Sequence, residues 1–82
     1  MSTFRHEDEK LRAIGNEVVI EACRAAGKFP PMNSPHEGYA VIYEELDELW
    51  EHVRANTGRT DDARTEAIQV AAMAVRYIYD LT

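Results

Sequence analysis

The chain has 82 residues, 45% of them apolar, and a formal net charge of −6. That length predicts a single domain, residues 1–82. A chain this short buries only ~60–65% of its unfolded surface, so a lone protomer would have a thin core, and oligomerisation is a usual remedy. The acidic balance offers no basic stripe to release counterions, which argues against a nucleic-acid polymer as partner but not against a free nucleotide, because a bound cation inverts the local sign. Cys23 is alone. A disulfide framework is therefore excluded, which fits a reducing, cytoplasmic location. The longest apolar run, Val70 to Val75, is far too short to span a bilayer, so no membrane partner is expected. The opening Met-Ser-Thr-Phe-Arg-His-Glu lacks the apolar segment of a secretory leader.

Residues 1–5 read as a loose lead-in. A first helix is predicted from about His6 to Ala26. Leu11, Ile14, Val18, Ala22 and Ala25 keep helical spacing, and Glu7, Asp8 and Glu9 crowd the first turn, where the helix dipole favours them. Gly27 suits the position just past the helix end. Pro30-Pro31 marks a short structured loop, since neither helix nor strand interior tolerates it.

The second helix is predicted from Pro35 to about Ala55. Ser34 can cap it, Pro35 suits its first position, and Glu37 can reach back in a capping box. Its apolar residues, Tyr39, Ile42, Tyr43, Leu46, Leu49, Trp50 and Val53, form one seam for a core. On that seam Tyr43 and Trp50 favour core packing over stacking on a base. Asn56-Thr57-Gly58 stops the helix, with Gly58 in the C-cap region. The third helix is predicted from Asp61 to Asp80 with Thr60 as its cap. Its middle, Ala67 to Val75, is apolar nearly all round, so it must be covered on more than one side. A second copy of the chain would do that. The fold expectation is all-α: three helices, the last two an antiparallel hairpin that builds a four-helix core across a homodimer.

Six acids, Glu37, Glu44, Glu45, Asp47, Glu48 and Glu51, flank the seam, and no Lys or Arg falls between His36 and Arg54. Such a helix carries either a solvated acidic face or a metal site. Glu45 and Glu48 are three apart and share a face. Glu66 lies on an apolar stripe with Val70, Met73 and Tyr77. A carboxylate there must be protonated, paired or bound to metal. If the hairpin is antiparallel, Glu45, Glu48 and Glu66 converge into a hard-oxygen set suited to Mg²⁺ or Mn²⁺. The bland alternatives are a solvated Glu-x-x-Glu and a Glu66 held by its own helix dipole. His36 and His52 could touch a phosphate or base, and surface histidines without such a role are commoner. Arg76 could neutralise phosphate charge, although Arg76–Asp80 is also an ordinary i, i+4 pair. Gly-rich phosphate loops, Ser–His–Asp sets and zinc spacings are all missing from the sequence.

The pattern Glu45-Leu-Asp-Glu48-Leu, followed after a spacer of seventeen residues by Glu66-Ala-Ile-Gln69-Val, resembles the MazG-like family of all-α nucleoside triphosphate pyrophosphohydrolases. Its superfamily also includes dCTP pyrophosphatases and phosphoribosyl-ATP pyrophosphohydrolases. The family motif is Glu-x-x-Glu, a spacer, then Glu-x-x-Asp, and the resemblance covers roughly Ser34 to Leu81. It implies Mg²⁺-dependent cleavage of a (deoxy)nucleoside triphosphate to monophosphate and pyrophosphate by a homodimer or tetramer. Glu45, Glu48 and Glu66 would be catalytic, the same three with Gln69 would hold the metal, and His36 and Arg76 would contact substrate. Gln69 stands where the family has its last acid, which removes one formal charge. Asp47 and Glu44 are turned away from the Glu45–Glu48 face, and Asp80 lies about three turns from Gln69. The rival reading is a catalytically degenerate nucleotide-binding or helical protein-interaction module.

Overall fold

The computed structural model describes residues 6–82, and the lead-in at 1–5 lies outside the described residues. Three helices form, α1 (His6–Lys28), α2 (Pro35–Arg54) and α3 (Asp61–Leu81), with no strand among the described residues. No described helix is long and apolar enough to cross a membrane.

Local chemistry sets most boundaries. Ser34 Oγ accepts the amide of Glu37, Pro35 opens α2, and Glu37 returns to the amide of Asn33, one residue before the cap. Thr60 Oγ1 accepts the amide of Ala63 at the start of α3. Two boundaries differ from expectation. Gly27 stays helical, and α1 runs on to Lys28, closed by the Phe29 amide on the Ala25 carbonyl. The stop is Pro30, which has no N–H to continue the ladder. At the end of α2 the left-handed residue is Asn56, at φ 60°, and not Gly58. Asparagine tolerates that conformation, so Gly58 is free of the duty.

α3 is the hub. It packs against both α1 and α2, while α1 and α2 do not pack on each other. α2 runs antiparallel to α3, with Gly38 of α2 opposite Tyr77 and Leu81 near the far end of α3. A Cβ on Gly38 would lie 2.5 Å from Tyr77 Cδ2, so the close approach of the two helices requires glycine there. α1 runs parallel to α3. Arg64, in the first turn of α3, holds Glu17 by two bonds at 2.9 and 2.5 Å. The half of α1 before Glu17 therefore projects beyond the start of α3, which leaves Leu11 65% exposed despite its place on the predicted core face.

The core is small: Ala22 and Ala25 of α1 meet Ala72 and Met73 of α3, with Val18, Val41 and Ile42 packed around them. On α2 the expected seam splits. Ile42 and Leu49 are half-buried, whereas Tyr39, Tyr43, Leu46, Trp50 and Val53 are exposed in the protomer. Tyr43 and Trp50 are thus not core residues of the single chain. Tyr39 and Tyr43 stack on each other, ring centroids 6.1 Å apart. The accessible surface is 6372 Å², against ~5,000 Å² for a compact monomer of this mass.

Candidate metal centre

The antiparallel hairpin brings Glu45 and Glu48, one turn apart on the inner side of α2, against Glu66 in the second turn of α3. One ligand oxygen from each lies within 4.8 Å of the others. Glu45 and Glu66 are half-buried, and Glu48 is exposed. The oxygens around a Mg²⁺ ion at ~2.1 Å stand ~3–4 Å apart. Small rotations of exposed-end carboxylates close that difference.

The electrostatics show what the set lacks. Burial pushes the Glu45 carboxyl up to about 7, helped by the charges of Glu48 and Glu66, by hydrogen bonding to Glu48 and by the charge of Glu44. Burial likewise raises Glu66, with hydrogen bonding to Glu48 and the Glu48 charge adding to it, while nearby His52 works the other way. Elsewhere in the chain the opposite holds: Glu17 and Glu21 are lowered, chiefly by hydrogen bonds from Arg64 and Arg24. Among the described residues no guanidinium pairs with the triad in this way. Its carboxylates repel one another, and a proton or a cation relieves them. Three oxygen donors of one sign fit a hard divalent cation.

His52, weighted lightly from sequence, lies on the inner face of α2 with the triad. Its Nδ1 is 3.0 Å from Thr57 Oγ1, and the same hydroxyl lies 3.2 Å from the His52 carbonyl, so the loop after α2 orients the ring. Sequence could show that His52 is one turn from Glu48, but not that the loop after α2 would orient the ring.

The remaining candidates are dispersed. Glu45 also lines a groove of about 370 Å³ under the 29–32 loop, together with Phe29, Pro30, Met32, Glu37, Val41, Glu44, Met73 and Arg76. Arg76 is 7% exposed. It donates to the Pro30 carbonyl at 3.0 Å and stands 3.9 Å from Asp80, whose carboxylate accepts the Met32 amide at 2.9 Å. Arg76 thus clasps the loop to α3, and its Nε is buried without a partner. Gln69 lines a different groove, facing Glu17, Ile20 and Glu21 of α1. His36 is exposed in the first turn of α2. A third groove of about 410 Å³, between α1 and α3, is apolar and holds Cys23, Val75 and Tyr79.

No family model, no curated protein and no solved structure matches the chain.

Proposed function

We propose that the chain is a metal-dependent nucleotide pyrophosphohydrolase of the MazG-like kind, cleaving a (deoxy)nucleoside triphosphate to monophosphate and pyrophosphate. The observation that carries this reading is the meeting of Glu45, Glu48 and Glu66 within 4.8 Å without a guanidinium among them. Mg²⁺, or Mn²⁺, held by these carboxylates would offset phosphate charge and lower the pKa of a water. The chain's own part is to fix the three oxygens on two rigid helices and to hold their mutual repulsion ready for a cation. Glu45 belongs both to the triad and to the groove under the 29–32 loop. A carboxylate at that junction can orient an attacking water and take its proton. The groove's apolar wall of Phe29, Met32 and Met73 suits the flat face of a base. Arg76 at the groove and His36 at its helix start are the proposed phosphate contacts, with Arg76 acting from its place in the loop clasp. The working unit in this reading is a homodimer whose α2–α3 hairpins form a four-helix core.

Gln69 favours a second reading, because an amide brings an oxygen without charge where the family has an acid. In that case the chain binds nucleotide and metal without turnover. One experiment separates the two: all nucleoside triphosphates are screened with Mg²⁺ for pyrophosphate release. The first reading expects release from at least one, abolished in Glu48→Gln. Metal-dependent nucleotide binding with no release from any would establish the second.

A further inference from the structure

We infer that the outer face of α2 is the contact between two copies of this chain, packed antiparallel about a two-fold axis at Leu46. This rests on the homodimer reading above and adds the surface and the orientation to it. Tyr39, Tyr43, Leu46, Trp50 and Val53 are 67%, 56%, 49%, 53% and 50% exposed. Their spacing is four, three, four, three. That is a strict a/d seam, the pattern of a helix that packs against another helix and not against a broad core. The seam is also self-complementary. Turned end for end about Leu46, Tyr39 meets Val53 of the other copy, Tyr43 meets Trp50, and Leu46 meets itself. An isologous contact needs such a match.

The neighbouring surface supports the same occupant. On α3, Ala72 faces α1, Arg76 faces the loop, and Glu66 and Tyr77 face α2. On a further side lies the stripe Ala67, Ala71, Ala74 and Ile78, its alanines exposed or half-buried and Ile78 62% exposed, while the exposed Val75 and Tyr79 lie toward α1. By helical phase this stripe lies beside the α2 seam, on the side of the hairpin away from the 29–32 loop. Alanines there let a facing helix approach closely. The exposed parts of both stripes amount to roughly 700 Å², counting ~150–250 Å² for each whole aromatic side chain, close to the ~800 Å² per partner of a specific interface. An anionic lipid surface is disfavoured as occupant, because α2 carries six acids and no Lys or Arg before Arg54.

The test uses the full chain with Cys23, the lone cysteine, replaced by Ser. Along an antiparallel pair, two copies of position 39 stand ~20 Å apart by helical rise. A disulfide needs Cα atoms within ~7 Å. Leu46→Cys should therefore oxidise to a covalent dimer, Tyr39→Cys alone should not, and a mixture of Tyr39→Cys and Val53→Cys chains should give the mixed dimer. Leu46→Glu should convert a micromolar dimer into a helical monomer in light scattering. A dimer that Leu46→Cys fails to link, or one that Tyr39→Cys links to itself, overturns the seam and leaves the homodimer reading standing. A wild-type monomer at micromolar concentration overturns both. Pyrophosphate release by the wild type bears on the enzyme reading alone.

Discussion

Two clusters of charge lie along α3, about three turns apart, and they are built on opposite plans. Near the start, Glu66 joins Glu45 and Glu48, all of one sign. Near the end, Arg76 and Asp80 are buried together, 8% and 10% exposed at the side chain, and each spends a bond on the backbone of the 29–32 loop. The second cluster is balanced, so each charge has its counter-charge and a backbone partner within the fold. The first is unbalanced, and its Glu45 and Glu66 carboxyls are pushed up, chiefly by burial, with neighbouring carboxylates adding to it. The balanced end is satisfied within the chain, and the unbalanced end is a carboxylate cluster that could hold a metal ion.

The largest effect should come from breaking the balanced cluster. Arg76→Met keeps length and apolar bulk but leaves Asp80 buried without its cation. Loss of one partner of a buried pair costs ~3–5 kcal/mol, and retention of the Met32 amide on Asp80 puts the expectation at the lower end, about 3 kcal/mol in urea denaturation. Its response to Mg²⁺ should survive. A loss under ~1 kcal/mol would mean that the clasp is not what holds the loop.

Protonation should produce an intermediate effect, at the other cluster. Glu45 is raised from 4.5 to about 7. A group whose folded pKa is raised contributes stability below the unfolded value and loses it as pH rises through the folded one. The metal-free protein should therefore melt progressively lower from about pH 4.5 to about pH 7. Protons and cation compete for the same oxygens, so with Mg²⁺ present the gain over the metal-free protein should grow across that window. Differential scanning calorimetry at constant ionic strength reads both. A flat metal-free profile would show that the triad is already solvated enough to bear its charge.

The smallest effect concerns Gln69. Gln69→Asp adds one carboxylate a turn beyond Glu66, and on the proposal that residue 69 reaches the metal it should tighten Mg²⁺ by less than tenfold, because a charged oxygen would replace a neutral one. Gln69 also borders Glu17 and Glu21, which would repel the new charge and limit the gain. Unchanged affinity in a calorimetric titration would place Gln69 outside the metal's reach.

Much of this comparison was legible in the sequence, and the part that was not has a common cause. Ser34 and Thr60 announced their helices because a cap is chemistry within three residues. Glu45, Glu48 and Glu66 could be brought together on paper because their helical phase, plus one antiparallel turn, decides the geometry. Gly27 and Gly58 misled because Pro30 and Asn56 competed with them for the same stop. Periodicity puts Tyr43 and Trp50 in the core because it reports that a face is apolar, not what covers it. Which of α2's apolar residues turn to α3 depends on Gly38 letting Tyr77 in close. The pairing of Arg76 with Asp80 was visible as an i, i+4 step. Its grip on Pro30 and Met32 joins residues 46 and 48 positions apart, which no local rule reaches.

The central claim is that the unbalanced cluster is a cation site, and one set of four melting curves tests it: wild type and Glu66→Gln, each with and without Mg²⁺. Glu66→Gln keeps the shape and removes one of the repelling charges. The account predicts that the metal-free variant melts no lower than wild type, and that Mg²⁺ at a hundred times its Kd, which stabilises wild type by ~2.7 kcal/mol, does little for the variant at the same concentration. A variant that melts lower yet keeps the full Mg²⁺ shift would contradict it, and would make Glu66 a structural residue.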